Sequence, residues 1–246
     1  MDMADLQSEL EFKFKDYTNI RRKVLKYPVF RKFLLKMTKE QADLIEDALD
    51  DDVKLIFVNA KSGTGKTMMA VLVAYALYLD SRSPKEMLYV AAPVQENALG
   101  FTSGSIMQKE AKYMLPLYDA LLELDMIPEQ VVRNEEDPES QKESDVWCNA
   151  KTQAYVRGTN IINKTVIIDE AQNNTRGELK KVLTRLHDSS KTFVIGHDGQ
   201  NDLRGSKQSG FVPYINHFKN EPYVRVHDLN YNFRGEVAQK ADELEW

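Results

Sequence analysis

Ala60-Lys61-Ser62-Gly63-Thr64-Gly65-Lys66-Thr67 is the stretch on which the fold turns. It stands directly between residues 54–59 (KLIFVN), an apolar run that predicts a buried strand, and residues 66–80, rich in Met, Ala, Val and Leu, which predict a helix. The octet follows the spacing of a phosphate-binding loop except that Ala60 holds the place of the first glycine. Gly63 and Gly65 let the backbone turn its N–H groups inward around an anion, where a side chain would obstruct them. The N-terminus of the following helix adds a favourable dipole and unpaired donors. Lys66 is then expected to neutralise the β- and γ-phosphates of a nucleotide, and the Thr67 hydroxyl to ligate Mg2+. A glycine-rich turn with no ligand is the alternative, and the strand–loop–helix setting argues against it.

Further along, residues 165–169 (TVIID) predict a strand that delivers Asp169 to its C-terminal end, the edge where ligands bind in open α/β sheets. Asp169 is expected to hold Mg2+ through its water shell, and Glu170 to orient and polarise an attacking water. More strands are predicted at 87–91, 192–195 and 223–226, with helices at 106–124 and 178–187. Short apolar strands separated by helices imply an α/β fold, a mostly parallel sheet with helices on both faces. Thr38-Lys39-Glu40-Gln41 has the spacing of a capping box, so a helix is expected to start there. Ala42, Ile45 and Leu49 then recur at helical spacing until Asp50-Asp51-Asp52 ends it. Residues 134–144 (NEEDPESQKES) predict an exposed loop.

Composition narrows the class. No apolar run in the 246 residues approaches the roughly 18 that would suggest a membrane span, and the start, Met1 to Glu11, is too acidic and polar for a secretory leader. Cys148 is the only cysteine, which excludes an intrachain disulfide and a cysteine zinc cluster and fits a reducing, cytoplasmic compartment. His187, His197, His217 and His227 are scattered without ligand spacing. The net charge is −5, yet residues 12–39 carry ten Lys or Arg against the single acid Asp16. Phe12, Phe14, Tyr17, Tyr27, Phe30 and Phe33 are interleaved among them. Such a segment could grip phosphates and stack on bases, or pack its aromatics on the body and solvate its cations. Pro28 interrupts any helix there. Residues 1–37 are therefore expected to be an N-terminal basic and aromatic arm, and 38–246 one domain.

Asp169-Glu170-Ala171-Gln172 makes the site recognisable. Together with Tyr155-x-Arg157-Gly158, Leu183-Thr184-Arg185 and Gly196-x-x-x-Gln200-x-Asp202-Leu203, it resembles the PhoH family of ATPases, which are similar to the first motor domain of superfamily 1 helicases. The likeness runs from about Thr38 to the C-terminus and includes Pro93, Leu99-Gly100-Phe101 and residues 117–121. It implies a single RecA-like P-loop NTPase domain using ATP and Mg2+. Carried over by position, Gln41 matches a glutamine that reads adenine, with the capping box as its other role. Gln172 and Gln200 resemble residues that sense the γ-phosphate and couple it to movement. Leu229-x-x-Asn232-Phe233-Arg234 resembles the motif whose arginine contacts the γ-phosphate, although Arg234 could be a plain helix-flanking charge. Two departures touch this coupling machinery: His197 stands where the family has Asp, and Ala92-Pro93 replaces an Arg-Pro.

The resemblance implies ATP hydrolysis coupled to RNA or single-stranded nucleic acid, helicase-like in character and without a membrane partner. No second motor domain is expected in these 246 residues. A homo-oligomer is therefore expected, a hexameric ring being one form, its site completed across the interface by Arg234, or else Arg185 or Arg204, the other arrangement being a contact of Arg234 inside its own subunit. The alternative is a nucleotide-dependent assembly or regulatory switch acting on a protein partner without translocation.

Overall fold

The apolar strands alternate which core they feed, so each is buried on both faces, and this sets the layering. The computed structural model of the chain describes residues 3–80, 83–92, 113–156, 158–200, 203 and 208–242. In β1 (Leu55–Ala60), Ile56 and Val58 enter one hydrophobic core while Leu55 and Phe57 enter the other. β4 (Lys164–Asp169) and β5 (Lys191–Gly196) divide the same way, Ile167 and Phe193 to the first core and Val166, Ile168 and Val194 to the second. With β2 (Glu86–Ala91), β3 (Cys148–Thr152) and β6 (Val224–Leu229) they form a six-stranded sheet in the order β3-β2-β4-β5-β1-β6, every pair parallel. Helices cover both faces, as a parallel sheet requires. The fold is a single RecA-like α/β domain.

On the first face lie α4 (Lys39–Ala48), α5 (Lys66–Tyr78) and α6 (Leu115–Glu123). On the second lie α8 (Arg176–Leu183) and α9 (Phe211–Phe218). The short α7 (Pro128–Val131) packs Val131 against the first core beside α6, and α10 (Glu236–Asp242) follows β6. α4 starts where the capping box places it: Thr38 Oγ1 accepts from Gln41 N–H, and the Gln41 side chain accepts from Thr38 N–H, both at 3.2 Å. α8 has a second capping box, Thr175 with Glu178, so that helix starts before the expected residue 178 and ends at Leu183 rather than at 187. The sheet has one strand more than expected. β3 (CNAKT) sits at an edge, half buried and half polar, and lacks the apolar run that betrays the inner strands. The strand expected at 223–226 begins one residue later and runs to Leu229.

The segment before Thr38 forms α1 (Met3–Lys13), α2 (Thr18–Lys23) and α3 (Arg31–Lys36), with a 3-10 turn at Pro28–Phe30 where the proline was expected to break the helix. Its apolar side chains Leu10, Phe14, Ile20, Phe30 and Leu34 are fully buried in the same core as α4 and α5. Glu46 accepts from the N–H groups of Asn19 and Ile20, so a carboxylate on α4 caps the start of α2. Lys13 Nζ donates to the carbonyls of Leu34 and Leu35, and Lys23 Nζ to Leu49 O and Asp51. Of the interleaved aromatics, Phe12 stands exposed, while Tyr17, Tyr27 and Phe33 pack against the core. Among the described residues no helix is long and apolar enough to cross a membrane.

Candidate nucleotide site

Parallel strands place their C-terminal ends along one edge, and the chemistry-bearing loops gather there. Gly63 and Gly65 have φ of +84° and +79°, the left-handed region that only glycine enters cheaply. Space is tight as well. A Cβ on Gly63 would come within 2.6 Å of Asn232 Oδ1, and one on Gly65 within 3.1 Å of Gln41 Nε2. Ala60, in place of the motif's first glycine, is the last residue of β1, paired with Leu229, and its methyl group is buried in the core. Thr64 is buried too, its hydroxyl donating to Lys61 O at 3.0 Å and its carbonyl accepting from Gln41 Nε2 at 3.0 Å. Gln41 thus serves the cap of α4 and braces the loop at once.

Lys66 opens α5 and is 9% exposed. Among the described residues its ammonium reaches only the Lys61 carbonyl, at 3.4 Å. A buried cation is costly without a partner, so this one is poised for an anion at the helix N-terminus. The next residue links the two motifs: Thr67 Oγ1 donates to Asp169 Oδ2 at 2.9 Å across 102 positions of sequence. Asp169 is 1% exposed, and its Oδ1 accepts from Glu170 N–H. Glu170 has φ +51°, a left-handed conformation that strains a non-glycine residue by roughly 1–3 kcal/mol and gathers at functional sites. Its carboxylate accepts from Gln172 Nε2 at 2.5 Å, and Gln172 Oε1 accepts from His197 N–H at 3.2 Å. Gln172 therefore ties the end of β4 to the end of β5, through a backbone N–H that any residue but proline at position 197 would supply.

The segment after β6 crosses the loop. Asn232 Nδ2 donates to Ser62 O, Phe233 N–H to Gly63 O, and Arg234 Nη1 to Ser62 Oγ at 2.5 Å. Arg234 thus stands on the phosphate loop of its own chain. Gln41, Gly63, Gly65, Lys66, Thr67, Glu170 and Arg234 line one cleft of about 550 Å3. Lys32, Phe33, Lys36 and Met37 from the N-terminal segment form another wall, with Leu115 and Asp119 of α6. Such a volume suits a nucleotide. Gln200 is exposed and not part of that lining; its N–H donates to His197 O. Arg185 is exposed at the end of α8. Pro93, Leu99-Gly100-Phe101, Arg157, Asp202 and Arg204 lie outside the described residues, as does the first part of the helix expected at 106–124.

The donor set fits Mg2+ shared with phosphates. No group of three or more His, Cys, Asp or Glu among the described residues could hold a metal alone. Thr67 and Asp169 offer hard oxygens, and Mg2+ is usually held by one or two such groups plus substrate phosphates. Two contributors escaped the sequence reading. Ser62 is an unremarked loop residue, and its partners come from a distant segment. Tyr89 donates its hydroxyl to Asp169 Oδ2 at 2.7 Å. Burial, and then the Asp169 charge, push its phenol well above the ordinary range, so it stays a donor. An aromatic inside an apolar strand carries no sign of such a role.

A family model described as PhoH-like protein matches residues 34–243. The chain is 36% identical over 154 residues to a PhoH-like protein of Synechocystis, an alignment covering 63% of this chain and 44% of that one. It is 31% identical over 209 residues to Protein PhoH2 of Bacillus subtilis, covering 83% and 46% respectively. Against Protein PhoH of Escherichia coli the identity is 30% over 175 residues, covering 70% and 47%. The chain spans about half the length of these curated relatives. With its phosphate loop, its Asp169-Glu170 strand end and this match over most of its length, the chain belongs to the PhoH-like protein family, as a nucleotide-binding P-loop domain.

Proposed function

We propose that the protein is a Mg2+-dependent ATPase whose cycle is coupled to RNA or single-stranded nucleic acid, acting as a homo-oligomer. The observation that carries the catalytic part is the Thr67–Asp169 hydrogen bond, which joins phosphate loop and acidic strand end into one site with Glu170 on the cleft wall. In this reading the loop N–H groups and Lys66 hold the β- and γ-phosphates, and Thr67 with Asp169 holds Mg2+, which supplies charge neutralisation when bound. Glu170 orients the attacking water and takes up its proton as the water oxygen bonds to the γ-phosphorus and the bond to the ADP oxygen breaks. Arg234, already beside Ser62, favours a contact with the γ-phosphate inside its own subunit over one across an interface.

The nucleic-acid part rests on charge. With Phe14 and Phe30 buried, the N-terminal segment offers cations such as Lys15, Arg21, Arg22 and Lys26 more than stacking surfaces. Binding through them should weaken steeply with salt as counterion release is suppressed. The buried aromatics also favour the second reading, a nucleotide-driven switch on a protein partner. One assay separates the two: phosphate release from Mg·ATP with and without single-stranded RNA or DNA, at low and high salt. Stimulation that fades with salt is the expected result. A rate indifferent to both nucleic acids would move the reading to the protein partner.

A further inference from the structure

The carboxylate of Asp169 is held from three sides. Glu170 N–H reaches Oδ1 at 2.9 Å, while Oδ2 accepts both the Thr67 hydroxyl at 2.9 Å and the Tyr89 hydroxyl at 2.7 Å. The first two donors belong to the motifs themselves. The third comes from β2, a strand with no other part in the site. Ala91 pairs with Asp169 in the parallel register, so Tyr89, two residues earlier, lies on the same face of the sheet. Its ring is packed in the core with α5, and both Tyr89 and Asp169 are 1% exposed. Phenylalanine would satisfy the packing alone. A buried hydroxyl is worth retaining where it has a partner, and here the partner is a proposed metal-binding carboxylate.

The geometry points to a positioning role. We propose that Tyr89 fixes Asp169 for the divalent cation: with Oδ2 pinned, the Thr67 hydroxyl keeps its proton on Asp169 and its lone pairs free for the metal. Without the phenol, Oδ2 has Thr67 as its single donor among these contacts. The last torsion of an aspartate is broad, so the carboxylate can then turn. The inference deepens the ATPase reading and rests on it.

The test is binding of a fluorescent ATP analogue to the full chain, first in EDTA and then across a Mg2+ titration, for wild type and Tyr89→Phe. The expected result is unchanged affinity in EDTA and a Mg2+ half-saturation raised about tenfold, the low end of the loss seen when outer hydrogen-bond partners of metal ligands are removed. A merely structural role would alter stability and leave the Mg2+ dependence in place. An unshifted half-saturation in Tyr89→Phe, beside a wild type that responds to Mg2+, overturns the inference alone. A wild type that binds the analogue but ignores Mg2+ overturns the Mg2+-dependent reading beneath it. Should the phenylalanine variant not fold, 3-fluorotyrosine at position 89 keeps ring and hydroxyl. Its 19F resonance is expected to move when Mg2+ joins the bound analogue, and an unmoved resonance overturns the inference.

Discussion

Lys66 and Lys191 are both buried, at opposite ends of the parallel sheet. Lys66 faces the cleft with a long contact to one carbonyl, which suits an ammonium kept for a ligand. Lys191 opens β5 and donates to the Asp50 carbonyl beneath α4, closing the lower edge of the fold. Desolvation, and then repulsion from Lys23, push its pKa down to about 8, with Asp51 and Asp50 offsetting part of the shift. Its ordinary value is 10.5, so the folded state disfavours the charged form. That penalty is full below pH 8. It fades between 8 and 10.5, where the folded protein releases this proton before the unfolded chain does, so this group's contribution to stability rises with pH. Lys191→Met removes the linkage. From pH 7.5 to 9.5 the wild type should gain about 1–2 kcal/mol relative to the variant in urea denaturation. Parallel pH profiles for the two proteins would refute this.

At the scale of elements, α4 is the joint between folding and binding. Its cap places Gln41 so that one amide serves Thr38 N–H and also reaches Thr64 O in the loop. Thr38→Ala should lower stability by about 1 kcal/mol, the usual cost of a lost cap, and weaken nucleotide binding several-fold. Urea midpoints and nucleotide titrations measure the two effects, and lowered stability with unchanged affinity would confine the cap to folding. This start was legible because a capping box is local. The box at Thr175 is equally present in the sequence, but the apolar residues of that helix, Leu179 and Val182, begin late, and the helix starts three residues before the first of them. Inner strands were legible because burial on both faces leaves continuous apolar runs. The edge strand CNAKT was not, having a neighbour on one side and the polar Asn149, Lys151 and Thr152 around Cys148 and Ala150. Glycines, Lys66, Thr67, Asp169 and Glu170 were readable from spacing. The contact of Arg234 with Ser62 was not, since 172 positions of chain separate the partners and only tertiary packing brings them together.

The whole molecule is organised so that one sheet edge collects what the proposed chemistry needs. β5 lies between β1 and β4, so the phosphate loop and Asp169 come from strands that are not neighbours. Thr67 and Gln172 bridge the gap, one to β4 and the other from β4 to the end of β5. The N-terminal helices add a wall to the cleft through Lys32, Phe33, Lys36 and Met37, which couples that segment's packing to the site. In the proposed ATPase reading, this edge hydrolyses ATP with Glu170 aligning the water. The most direct measurement is phosphate release from saturating Mg·ATP by Glu170→Gln beside wild type, with nucleotide affinity measured on the same samples. Loss of the carboxylate alone should slow release by about 100-fold or more and leave affinity within roughly threefold. Wild-type turnover in the Glu170→Gln protein would contradict the account.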